Sequence, residues 1–336
     1  MKSHHEVAQP YKEIAHSVSD EALDEAVATS HMLSAETGFK VLPNKNQSVP
    51  VNVVRGIGNT TVLELLAVTD EPGRESTPYL AGTVGAYTGA NVLTIGNPGV
   101  EQSKHSVAEK GQRNALAMSQ ARELYSGNFD KVSQAIAHAA MRAMEMEGLE
   151  DNDVLIVAPS LAGSVASAGV QHMVNEGVNI RGIGLIDPVG LSEGSGLSRL
   201  KQFASVDASA APYLEANHPK HAEITESTGE WIKRSANSLP ANLLYGIRGV
   251  SLGGAKGDLL RQADILREND ISLRIYAAGR SEFDTAQAGR ETTEELARHG
   301  VDADITIIDG ASHAMSMAAG MHARVVADFI KDLELS

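Results

Sequence analysis

From about residue 39 to the carboxyl end, short apolar and β-branched runs recur along this chain, spaced so that one or two helices fit between them. Phe39 to Leu42, Val49 to Arg55 and Thr61 to Val68 predict strands, separated by the turn formers Pro43-Asn-Lys-Asn and Gly56-Ile-Gly58-Asn-Thr. Alternation then begins. A helix over about 76–88 leads to a strand at Asn91 to Ile95, and helices over about 107–125 and 129–147 lead to Val154 to Ala158. A helix over about 161–176 leads to the strand Ile180 to Ile186. Strands alternating with helices of this length require right-handed crossovers, so the pattern predicts an α/β fold with a mainly parallel sheet covered by helices on both faces.

The alternation stops between Asp187 and about Leu252, where helical patterns (197–203, 211–216 and 221–238, the last with the single tryptophan, Trp231) occur without a strong strand. It resumes with a helix over about 256–268, the strand Ile271 to Ala278, a helix near 290–299, the strand Ala303 to Ile308 and a closing helix over about 318–333. A helical insertion after one sheet strand, followed by a return to the same sheet, predicts a cap above the carboxyl ends of the strands. The expected division is an arm at 1–36, a core at 37–189 and 253–336, and a helical cap at 190–252. In the arm, Asp20 to Leu33 reads as a helix whose apolar stripe is Leu23, Ala26, Val27 and Leu33. That stripe is thin, which leaves three readings open: packing on the main domain, packing on a second subunit to give a homo-oligomer, or disorder.

Composition narrows the function classes. The 336 residues suit one α/β domain with an insertion, and an apolar content of 42% supplies a sizeable core. A formal charge of −15, with no long Lys/Arg run, argues against nucleic acid and against anionic membrane surfaces. The absence of cysteine rules out disulfides, thiolate metal sites and a cysteine nucleophile. The first ten residues lack the apolar core of a signal peptide, and no segment has the ~18 apolar residues of a membrane span, which points to a cytoplasmic location. No histidine pair has the H-E-x-x-H spacing of a zinc helix, so neither a metal nor another cofactor is expected.

The strongest chemical signal is Val154-Leu-Ile-Val-Ala-Pro-Ser160-Leu-Ala-Gly163, a buried-strand pattern that breaks into a helix with Ser160 at the bend. A tight strand-to-helix turn lifts a serine hydroxyl above a parallel sheet and brings backbone N–H groups to the same spot. Both glycines of the usual G-x-S-x-G are alanine here, Ala158 and Ala162. Gly249-Val-Ser251-Leu-Gly253 matches that motif literally, but the run before it is interrupted by Gly246 and Arg248, and only two strand patterns follow it. Three follow Ser160, which leaves room for an acid and a histidine on later strands, so Ser160 is preferred over Ser251. The simpler alternative, Ser160 as a mere helix cap, is weakened by those downstream residues. Gly249 to Lys256 lacks the ending of a phosphate loop.

With Ser160 after one strand, an acid in Gly279-Arg-Ser-Glu282-Phe-Asp284 after a later one and His313 in Gly310-Ala-Ser-His313 after the last, the chain from about residue 39 onward resembles an α/β-hydrolase with a helical cap. The resemblance implies a serine hydrolase, most nearly an esterase (EC 3.1), that cleaves an ester, thioester or amide of a small-molecule substrate through a Ser-His-Asp triad and an acyl-enzyme. It assigns Ser160 as nucleophile and His313 as base. For the acid it favours Asp284, with Glu282 and then Asp187, at the end of the Ile180 to Ile186 strand, as alternatives. The oxyanion donors would be the backbone of Leu161 and, in the turn after the Thr61 to Val68 strand, Thr69. That turn reads Ala67-Val68-Thr69-Asp70 where the family often has His-Gly. The competing reading is a non-catalytic protein that keeps the fold for ligand binding or assembly.

Overall fold

The computed structural model describes residues 5–8, 18–67, 76–100, 114–192, 194–217, 241, 243–250, 254–283 and 285–335. Its centre is one nine-stranded sheet in the order β1-β9-β8-β7-β6-β4-β5-β3-β2. The strands are β1 (His5–Ala8), β2 (His31–Leu42), β3 (Lys45–Val54), β4 (Thr60–Leu65), β5 (Asn91–Ile95), β6 (Asp153–Pro159), β7 (Ile180–Ile186), β8 (Ser272–Ala278) and β9 (Ala303–Asp309). Only β3 runs against its neighbours, β2 and β5; every other pairing is parallel. The predicted, mainly parallel α/β sheet is therefore present.

Between the strands lie α1 (Asp20–Thr29), α2 (Ser76–Thr88), α3 (Met118–Tyr125), α4 (Asp130–Glu147), α5 (Ala162–Asn175), α6 (Gly196–Asn217), α7 (Ala255–Arg261), α8 (Ala263–Glu268) and α9 (Thr285–Arg298), and α10 (Ala319–Asp332) follows β9. The period-two rule places them on the two faces. Val154, Ile156 and Ala158 of β6 join one core with Val132 and Ile136 of α4, Val165 of α5, Leu259 of α7 and Leu296 of α9. Leu155 and Val157 join the other, with Leu80 and Val84 of α2 and Val325 and Phe329 of α10. All five β6 residues are buried, and each Val, Leu or Ile among them contributes about 1.5–3 kcal/mol. On β7, Gly182 and Gly184 let α10 pack close to the sheet: a Cβ on Gly182 would lie 2.5 Å from Phe329, and one on Gly184 2.5 Å from Val325.

Several boundaries differ from the sequence reading, each for a local reason. The arm helix ends at Thr29, not Leu33, because Ser30 is extended, its hydroxyl donates to the Val27 carbonyl (2.8 Å), and β2 begins at His31. Leu23 and Val27 of this helix meet α2 at Gly82, so α1 packs on the main body of the chain. The helix expected over 256–268 breaks at Gln262, whose amide donates to the Ser167 carbonyl and accepts from the Gln171 N–H. The patterns at 197–203 and 211–216 form one helix, α6, that continues through Pro212. Leu243–Gly249 is a π-helix and not a strand, which removes the strand that a nucleophile at Ser251 would need. Ser251 itself, the helix pattern at 221–238 and Trp231 lie outside the described residues.

The strand order decides where a site can form. After β4 the chain crosses by α2 to β5 on one side; after β5 it crosses by α3 and α4 to β6 on the other side of β4. The helices that follow β4 and β6, α2 and α5, pack on opposite faces of the sheet, which makes the β4–β6 boundary a topological switch point, the place where α/β sheets put their sites. Ser160 directly follows β6.

Candidate active site

Ser160 sits at φ +50, in the left-handed region that costs a non-glycine residue about 1–2 kcal/mol. The surroundings hold it there. Its N–H donates to the Ile186 carbonyl (2.8 Å), and its carbonyl accepts from Val189 N–H (3.0 Å) and Gly163 N–H (3.1 Å). The strained position is the serine itself; neither Ala158 nor Ala162 has a positive φ, so the two alanines fit without strain. The glycine this turn requires is Gly163, where a Cβ would come 2.7 Å from Cβ of Pro188. Close contact between the start of α5 and the loop after β7 thus depends on a residue one step beyond the motif position.

That loop carries Asp187, fully buried and also at positive φ, +42. His313 opens a 3-10 helix (His313–Met317) after β9 and is 3% exposed; Ser160 is 7% exposed. The three side chains form one chain of hydrogen bonds. Ser160 Oγ lies 2.8 Å from His313 Nε2, and His313 Nδ1 lies 2.5 Å from Asp187 Oδ2. An ionised carboxylate only accepts, so Nδ1 carries the proton and donates to Asp187, which leaves Nε2 to accept from the Ser160 hydroxyl. The Asp187 carboxylate is compensated by two further donors: Ala278 N–H to Oδ1 (2.9 Å) and the Ser281 hydroxyl to Oδ2 (2.6 Å). Three donors around a fully buried carboxylate offset the loss of water.

The carboxylate that meets the imidazole is Asp187, not the Glu282 carboxyl group. A single Nδ1 carries a single proton, and Asp187, ranked third from sequence, already accepts it. Asp284 lies outside the described residues. Glu282 does reach His313, but its Oε2 accepts from the main-chain N–H (3.1 Å) and not from the ring. Of the two oxyanion donors, Leu161 N–H stands at the start of α5 beside the serine and makes no hydrogen bond among the described residues. Thr69 lies outside them.

Residues absent from the sequence reading complete the surroundings. Ser281 supports Asp187, and Phe283 packs edge-on against His313 with ring centroids 4.6 Å apart at 64°. Behind the site, Glu64 of β4 pairs with Nδ1 of His322 of α10, both essentially buried, and His322 Nε2 lies 2.8 Å from the carbonyl of Ser316 in the His313 turn. Both ring nitrogens of His322 are thereby hydrogen-bonded, one to the Glu64 carboxyl group and one to a main-chain carbonyl. A glutamate inside the apolar run Thr61 to Val68 was the available signal, since a buried charge demands a partner. Among the described residues, no group of acidic and histidine side chains could hold a metal ion.

No protein-family model matches the sequence, and no curated protein does. Solved structures share the fold. A thermophilic esterase from Thermogutta terrifontis superposes with a TM-score of 0.54 at 12% identity over 90% of this chain and 99% of its own. The 2-hydroxy-6-oxo-6-phenylhexa-2,4-dienoate hydrolase of Rhodococcus sp. strain RHA1 gives 0.54 at 14% identity, over 90% and 100% respectively. A deformylase from Pseudomonas putida S16 gives 0.52 at 12% identity, over 89% and 100%. The chain has the α/β-hydrolase fold.

Proposed function

We propose that this protein is a serine hydrolase that cleaves an ester, thioester or amide bond, with Ser160 as nucleophile, His313 as general base and acid, and Asp187 as the orienting carboxylate. One observation carries the reading: the unbroken, buried hydrogen-bond chain from Ser160 Oγ through His313 to Asp187. The hydrolase and esterase names of the structural neighbours support it. In the forward step Ser160 Oγ attacks the substrate carbonyl while Nε2 of His313 takes the hydroxyl proton. Asp187 stabilises the imidazolium that results without itself becoming protonated. The developing oxyanion is met by Leu161 N–H and by a donor from the turn after β4, for which Thr69 remains our assignment. His313 returns its proton to the leaving group, and a water activated by the same nitrogen then releases the acyl group from Ser160.

In the same reading, residues 190–252 form a cap that determines the substrate, with α6 and the π-helix as its described parts. No helix of the described residues is long and apolar enough to cross a membrane, and we place the enzyme in the cytoplasm. A fluorophosphonate probe tests the proposal, because it labels an activated serine and ignores an idle one. Labelling and turnover of p-nitrophenyl esters should vanish in Ser160→Ala, with the melting temperature near wild type since the side chain is small, and should persist in Ser251→Ala. Absence of labelling in the wild type would favour a non-catalytic binding protein.

A further inference from the structure

Ser281, Glu282 and Phe283 follow β8 in succession, and each touches the candidate triad at a different point: the Asp187 carboxylate, the His313 main chain and the His313 ring. The same residues are also gripped from helix α6 and the segment leading to it. Gln202 Nε2 donates to the Glu282 carbonyl (2.8 Å), the Ser192 hydroxyl donates to the Phe283 carbonyl (3.1 Å), and the Phe203 ring meets the Phe283 ring edge-on at 5.2 Å and 61°. The buried Arg199 lies 5.8 Å from the Phe283 ring centre and donates to the Ser192 carbonyl and to Gln202 Oε1 (3.1 Å). Phe283 is itself buried and is in ring contact with both Phe203 and His313.

We propose that Phe283 is a positioning residue through which helix α6 controls the catalytic base: when α6 is seated, Phe203 backs Phe283 and Phe283 holds the His313 ring toward Ser160. The proposal rests on the triad reading above. Asp187 holds Nδ1 and Ser160 meets Nε2, but both hydrogen bonds run close to the ring plane, and the Cβ–Cγ bond stays a pivot about which the imidazole rocks out of that plane. Packing of a second ring against its face or edge removes that pivot, and edge-on aromatic pairs are favourable. A helix outside the triad, in the segment assigned as the cap, then influences the reaction without touching the reacting atoms, so that seating of α6 by a bound substrate would complete the site.

A double-mutant cycle on p-nitrophenyl acetate hydrolysis tests this, with fluorophosphonate labelling rates as a second readout. Phe203→Leu should lower kcat by about three- to tenfold with KM unchanged, as expected for one lost aromatic pair acting only on the chemical step. Phe203→Tyr, which keeps the ring, should retain the wild-type rate. Phe283→Leu should lower kcat at least as far, and adding Phe203→Leu to it should have no further effect. Independent, multiplicative effects of the two substitutions would overturn the coupling, as would a Phe203→Leu variant with wild-type kcat. The underlying reading fails separately: a Ser160→Ala variant that stays active removes the triad, whereas a dead Ser160→Ala variant beside additive phenylalanine variants removes only the coupling.

Discussion

Replacing Asp187 by asparagine isolates the acid. Asp187 Oδ1 accepts from the Ala278 N–H, and Oδ2 accepts from both His313 Nδ1–H and the Ser281 hydroxyl. Asparagine supplies one oxygen and one NH2 in the same space. The Ala278 N–H is fixed in the β8 backbone, so the amide oxygen must turn toward it, which puts the NH2 against His313. That NH2 donates to Nδ1 only if Nδ1 has lost its proton, and Nε2 then carries the proton and no longer accepts one from Ser160. The opposite rotamer sets NH2 against Ala278 N–H in a fully buried position, at a cost of about 1–3 kcal/mol for the unmet donor. The first arrangement disables the base; the second leaves Nδ1–H satisfied but lacks the negative charge that stabilises the imidazolium, and its unmet donor makes it the minor one. The expected loss is about 10⁴-fold in kcat, or roughly 5.4 kcal/mol at 1.36 kcal/mol per decade. Steady-state kinetics on p-nitrophenyl acetate measure it, with circular dichroism to confirm the fold. Glu282→Gln should stay within about tenfold of wild type, because its bond is to the main-chain N–H of His313 and an amide oxygen accepts it as well. If Asp187→Asn kept a tenth of the activity while Asp284→Asn abolished it, the acid assignment would be wrong.

Three further outcomes follow from other parts of the molecule. Removing one partner of the buried Glu64–His322 pair, as in Glu64→Leu or His322→Leu, should cost about 3–5 kcal/mol, whereas the double replacement should recover most of it; at about 2.1 cal/mol/K per residue over 336 residues the single variants melt roughly 4–7 °C lower, and singles that melt like wild type would show that the pair is not charged. Gly163→Ala forces a Cβ to within 2.7 Å of Pro188, so it should destabilise by about 1–3 kcal/mol and also lower kcat through displacement of the Asp187 loop, both read on one preparation by urea unfolding and ester turnover. Burial lifts the Asp258 carboxyl to about 6 despite its ion pair with Arg261, with Asp130 adding to the rise, so the folded state favours the protonated acid; stability is lost as pH rises from about 4 through 6, and the melting-temperature advantage of Asp258→Asn should grow across that window, where a constant difference would refute the cause.

Much of the fold was already present in the linear pattern. Periodicity and turn formers located the helix Ser76–Thr88 and the strands Asn91–Ile95 and Ile180–Ile186 to the residue, because a buried parallel strand must be continuously apolar and a covering helix must repeat its apolar face. The same logic put forward Ser160 and His313, which the structure brings within 2.8 Å of each other, since each stands where a strand ends and a helix begins, a property of adjacent residues. The carboxylate was another matter. The carboxyl ends of β7, β8 and β9 lie side by side, so acids after β7 and after β8 both reach the histidine after β9, and sequence distance does not discriminate between them. The backbone decides it: a positive φ at Asp187 and donors from Ala278 and Ser281, 91 and 94 residues away, hold that carboxylate against Nδ1. Glu64 and His322 are separated by 258 residues and meet only because β4 and α10 share one face of the sheet. Local sequence thus determined the elements and the residues at their ends, while pairings between distant segments were fixed only when the sheet order and the helix packing brought those ends together.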